Sequence, residues 1–149
     1  MPARAERTVP PGADPACPPD PLEGREPKLR MGTVRFVDAN LEVGVELAED
    51  PPVIMRGLMF RKSMPEERGM LFLLEDVKDQ GFWMKNTCIP LDMLYIADDG
   101  LIVGIEENVP TLTLETRSCG CQSHYVLEMN AGWARRHGVK PGQRVVLGL

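Results

Sequence analysis

The chain has 149 residues, 43% of them apolar and 26% charged, with a net charge of −5. That length holds one domain and a tail, and the acid excess argues against a general nucleic-acid binder, which needs a basic face. No apolar run reaches the length of a membrane span, and the first residues lead into Pro10-Pro11-Gly12 without the apolar core of a secretory signal. The default compartment is therefore the cytoplasm, with export the alternative if the start lies elsewhere or a signal has been removed.

Residues 1–30 carry eight of the fourteen prolines and only Val9, Leu22 and Leu29 as large aliphatics. Such a stretch buries too little surface to offset its ordering entropy, and it reads as a disordered or extended tail. A single globular domain is expected over 31–149. Val34 and Phe36, then Leu41, Val43, Val45 and Leu47, alternate with polar or small residues. That period of two predicts two strands joined by a turn at Asp38-Ala39-Asn40. Asp50-Pro51-Pro52 starts a helix, with Asp50 as its cap and Ile54, Met55, Leu58 and Met59 as its apolar stripe.

Gly69 to Leu74 is an apolar run suited to a strand buried on both faces. Glu75 to Gln80 reads as a charged connection. Phe82, Met84 and Asn86 are expected on one face of a strand, with Trp83 and Lys85 on the other. Pro90 cannot donate to a ladder, so 86–90 is irregular. Leu91 to Ala97 is a strand with Asp92, Leu94 and Ile96 on one face. Asp98-Asp99-Gly100 turns the chain into a returning strand at Leu101–Ile105. A short alternating piece surrounds Leu112 and Leu114, and Tyr125–Met129 is a further strand. Asn130 caps a short helix through His137, and Lys140-Pro141-Gly142 turns into a last strand at Arg144–Leu147. The fold class is thus mainly β: an antiparallel β-sandwich or open barrel with one or two short helices.

The candidate site is the Phe82–Asp92 segment. Lys85 and Asp92 sit among apolar residues, where a charge needs a partner or a cleft. A Lys85–Asp92 ion pair across the loop is expected, serving to pin the loop or to build a small polar site. In the second case Lys85 recognises an anion, Asn86 supplies amide hydrogen bonds, and Trp83 and Phe82 form walls. Arg61 is counted with Trp83, Lys85, Asn86 and Asp92 as a ligand-binding residue.

Cys17, Cys88, Cys119 and Cys121 are too few for a disulfide scaffold, and three pairings are open if all are oxidised. A Cys119–Cys121 bridge would be strained, and plain loop thiols are the default. The same cysteines with His124 lack the spacing of a zinc site. The methionines around the centre of the chain read as adaptable core filler. No cofactor and no metal are expected.

The ordered stretches Arg56-Gly57-Leu58-Met59-Phe60-Arg61, Gly69-Met70-Leu71-Phe72, Phe82 to Thr87, Ile89 to Asp92, Tyr125 to Gly132 and Gly138 to Gly142 resemble domain-of-unknown-function family 192. The resemblance spans residues 31–149. It implies a compact, mainly β domain of sandwich or barrel type and no established activity. Family members often carry a signal or lipoprotein segment, but Cys17 here lacks the apolar residue three positions earlier. The family pattern also has a Glu-Arg pair before Gly-Leu-Met, where this chain has Val53-Ile54. The expectation for function is a small, monomeric binding or accessory domain for a polar small molecule or peptide. The alternative is a hydrolase or carbohydrate-active enzyme using Asp92 and Lys85.

Overall fold

A computed structural model describes residues 12–149. It contains strands β1 (Met31–Phe36), β2 (Leu41–Ala48), β3 (Arg68–Lys78), β4 (Leu91–Ile96), β5 (Ile102–Val109), β6 (Ser123–Asn130) and β7 (Val145–Gly148), with helices α1 (Pro51–Arg56) and α2 (Trp133–Arg136). The strands form one seven-stranded sheet in the order β5-β4-β6-β3-β2-β1-β7. Every adjacent pair is antiparallel except β2 and β3, which run parallel and are joined through α1. The chain is mainly β, and its curled mixed sheet makes a half-barrel. At one end the two edge strands come together: the Ile102 amide donates to the Gln143 carbonyl, the Val145 amide donates to the Gly100 carbonyl, and Leu101 bridges Arg144.

The sheet is covered on both faces, which explains its residue pattern. Alternation in β1 and β2 sends Val34, Phe36, Val43, Val45 and Leu47 into the inner core, where they meet Leu71, Leu94, Ile96 and Leu127. Trp133 and Ala134 of α2 and Val139 pack into the same core. The outer face of β3, β4 and β6 presents Met70, Phe72, Met93, Tyr95 and Val126. The segment after β3 crosses this face and buries Met84 and Ile89 on it. All six residues of β4 are buried as a result. The turns at Asp38-Ala39-Asn40 and Asp98-Asp99-Gly100 stand where expected. Asn40 and Gly100 take positive φ, which asparagine tolerates and glycine, having no Cβ, adopts freely.

Several local expectations are corrected. Glu75–Lys78 is not a connection but the end of β3, which runs past its cover so that its charges stay in water. Residues 82–86 form no strand. Phe82 makes a single bridge to Arg117, Lys85 and Asn86 form a turn, and Asn86 has φ 55°. Met84 and Thr87 are tied to Thr113 and Leu112 through the backbone, so the piece around Leu112 and Leu114 acts as a brace and not as a strand. Helix α1 stops at Arg56, because Gly57 turns the chain away at φ 50°. Its cap residue Asp50 makes no side-chain cap bond, and Met55 is 65% exposed. Asn130 does not cap α2. It ends β6, and its buried amide donates to the Met64 carbonyl at 2.7 Å.

Residues 1–11 of the proline-rich segment lie outside the described residues. From Asp14 onward the segment has no regular structure but is attached to the sheet's cover. The Asp14 amide donates to the Cys88 carbonyl, and the Thr111 hydroxyl donates to the Asp14 carboxylate at 2.6 Å. Cys17 is bonded to Cys88, and Asp20 accepts two hydrogen bonds from Arg56. Cys119 and Cys121 are bonded to each other, so no free thiol stands among the described residues. This corrects the expectation of plain loop thiols.

Candidate functional site

Asp92 and Lys85 do not meet. Asp92 faces inward from β4 with Leu94 and Ile96, fully buried. Its carboxylate accepts from the amides of Asn108, Gly132 and Ala134, each at 2.9 Å. Gly132 and Ala134 open α2, so a strand carboxylate caps a helix that has no side-chain cap of its own. Those three bonds compensate the buried charge without a cation. Lys85 stands on the exposed side of its turn, its Nζ 5.2 Å from the centre of the Trp83 ring. The expected ion pair is thus replaced by a backbone-capping role for Asp92, and the geometry serves no chemistry that joins the two residues.

The other expected site residues are also apart. Asn86 is half-buried at the turn, and its main-chain carbonyl accepts from the Phe60 amide at 2.8 Å. Arg61 makes a two-pronged ion pair with Glu46. It lines a charged recess of about 410 Å³ together with Asp20, Arg56 and Lys62. Trp83, 40% exposed, stands at the rim of a different cavity.

That cavity is a cleft of about 490 Å³ between the outer face of the sheet, α1 and the segment 80–83. Its walls are largely apolar: Ile54, Leu58, Phe72, Leu74 and Phe82, with Phe72 and Phe82 in edge-to-face contact at 5.0 Å. Its polar lining includes Gln80, Thr87, Thr116, Arg56 and Glu128.

Glu128 is the residue that sequence reasoning passed over. It lies on the interior strand β6, opposite Met70 of β3 and Met93 of β4, and is 4% exposed. No donor and no cation among the described residues offsets its burial, and that burial alone pushes its carboxyl up to about 8. The signal was present as one carboxylate inside Tyr125-Val126-Leu127-Glu128-Met129, an otherwise apolar strand. Of the buried polar side chains Gln80, Thr87, Asp92, Ser123, Glu128 and Asn130, the cleft holds Gln80, Thr87 and Glu128.

Comparison with known proteins agrees with the architecture. The model of domain-of-unknown-function family 192, described as an uncharacterised ACR, matches residues 33–147. A crystal structure of a candidate transcription regulator from Sinorhizobium meliloti shares 39% identity, covers 82% of this chain and 97% of its own, and superposes with a TM-score of 0.78. A protein of unknown function from Novosphingobium aromaticivorans shares 32% identity, covers 79% of this chain and 84% of its own, and gives a TM-score of 0.71. No curated protein matches. The stretches that carry the resemblance converge on the cleft: Gly57 to Met59, Phe72, Phe82, Trp83, Thr87 and Glu128 all line it.

Proposed function

The chain belongs to domain-of-unknown-function family 192, and from that premise we propose that it is a small-molecule binding module whose site is the cleft floored by Glu128. The observation that carries this reading is a buried carboxyl, without a partner among the described residues, that lines a largely apolar cavity. Such a group is costly for folding, and an apolar cleft with a few convergent polar atoms is the usual form of a ligand site. The cleft lies beside the Phe82–Asp92 segment, but Lys85, Asn86, Asp92 and Arg61 are not part of its lining.

The test uses N-phenyl-1-naphthylamine, a neutral apolar dye that fluoresces when it leaves water. The expected result is saturable fluorescence enhancement with the wild-type chain. Thr116→Trp, at an exposed position on the rim, should cut that enhancement at least fivefold with an unchanged melting temperature. Absence of enhancement, or enhancement that ignores Thr116→Trp, would reject the cleft as a binding site.

A further inference from the structure

The polar atoms buried in the cleft have a direction. The Gln80 side-chain nitrogen donates to the carbonyls of Asp76 at 2.6 Å and Ser123 at 3.1 Å. Both partners are acceptors, so the amide orientation is settled and its remaining polar atom is an oxygen. The Thr87 hydroxyl donates to the Lys85 carbonyl at 3.2 Å, which leaves its lone pairs. Glu128 offers two oxygens and receives no bond from the described residues. The cation at the rim, Arg56, is held by Asp20 through both terminal nitrogens, at 3.0 and 2.5 Å. A ligand head reaching the floor therefore meets mainly acceptors, beside the aromatic rings of Phe72 and Phe82.

We propose that the cleft binds a small primary amine on an apolar stem, its ammonium seated on Glu128 and its stem against Ile54, Leu58, Phe72 and Phe82. This rests on the reading of the cleft as the binding site. An ammonium brings three N–H donors and a positive charge to a floor whose one donor is the proton that Glu128 gives up on binding, and nearby aromatic rings favour a desolvated cation. Other ionisable groups on this side of the sheet do not compete for the amine. Arg56 of α1 is paired with Asp20. The Tyr95 hydroxyl of β4 donates to the Arg117 carbonyl; burial raises its pKa, Glu106, Glu128 and Asp79 raise it further, and Arg117 lowers it.

The proton balance follows from the floor. With its carboxyl pushed up to about 8, Glu128 holds a proton at pH 7 when the cleft is empty. On binding, the ammonium keeps its protons, the carboxyl loses its own to the buffer, and one carboxylate faces one ammonium. No covalent bond changes.

The experiment is titration calorimetry of the full chain at pH 7 with n-hexylammonium, 1-hexanol and hexyltrimethylammonium, in buffers of differing ionisation enthalpy. The expected result is that hexylammonium binds at least tenfold more tightly than hexanol and releases close to one proton. Glu128→Gln should weaken the amine at least tenfold and abolish the proton release. Equal affinities for hexylammonium and hexanol, indifferent to Glu128→Gln, would overturn the ammonium assignment while the cleft still bound apolar ligands. Equal binding of hexyltrimethylammonium, which has no N–H, would overturn the seating on acceptors. Failure of all three ligands together with the naphthylamine would instead remove the binding-site reading itself.

Discussion

Two buried carboxylates decide most of what is particular to this molecule, and they solve the same problem in different ways. Asp92 is compensated by three backbone amides and serves the fold. Glu128 is compensated by nothing in the described chain, and its carboxyl stays protonated well above the usual carboxylate range, to about 8 against an ordinary 4.5. Between those two values the folded state holds a proton that the unfolded state has lost, so stability falls as pH rises. The slope from this one group is about 1.4 kcal/mol per pH unit. Glu128→Gln should abolish that contribution, making the variant more stable than the wild type at pH 8, with the advantage shrinking as pH falls toward 5. Urea midpoints from pH 5 to 8 read this directly, and parallel slopes for the two proteins would contradict the environment assigned to Glu128. The face of Asp92 was legible from the period of two in Leu91–Ile96. Its partners were not, because they lie 16, 40 and 42 residues away in sequence.

At the scale of elements, the cleft depends on pieces that have no regular structure. The segment 80–90 is held on the outer face by backbone bonds to 112–117 and by Cys88, which is bonded to Cys17. Alternation in Phe82-Trp83-Met84-Lys85 did separate inward from outward side chains, since Met84 is buried and Lys85 exposed. It could not tell a strand from a crossing segment, because both alternate when one side faces a core. The proline-rich composition before Met31 pointed to looseness, and a covalent bond outweighs that tendency over the part that carries Cys17. The Cys17–Cys88 bridge closes a separation of 71 residues, and loop-closure entropy assigns a bridge of that span about 4 kcal/mol. Cys17→Ser with Cys88→Ala should lower the unfolding free energy by roughly that amount. A loss below about 1 kcal/mol in urea titrations would show that other contacts hold the segment.

For the whole molecule, closure at one end turns an open sheet into a half-barrel, and Gly100 is the point where the edges touch. Its φ is 88°, and a Cβ there would run into the Val145 carbonyl, which accepts no displacement because it belongs to β7. Gly100→Ala is expected to cost roughly 1–3 kcal/mol through strain and edge separation. Thermal unfolding measures it, and an unchanged melting temperature would mean that the contact between β5 and β7 is dispensable. Alternation along β6 sends Leu127 into the inner core and Glu128 into the cleft on the other face.

Local rules account for the mainly β class, the two hairpin turns, the burial of both faces of Gly69–Phe72 and the identity of the family, because each depends on residues within a few positions of one another. Which carboxylate is used by the fold and which is left at a cavity depends on what the curled sheet brings near each one. Asp92 and Glu128 look alike in sequence, each a lone acid in an apolar strand. Only the tertiary structure sets the amides of α2 against one and an apolar cleft against the other.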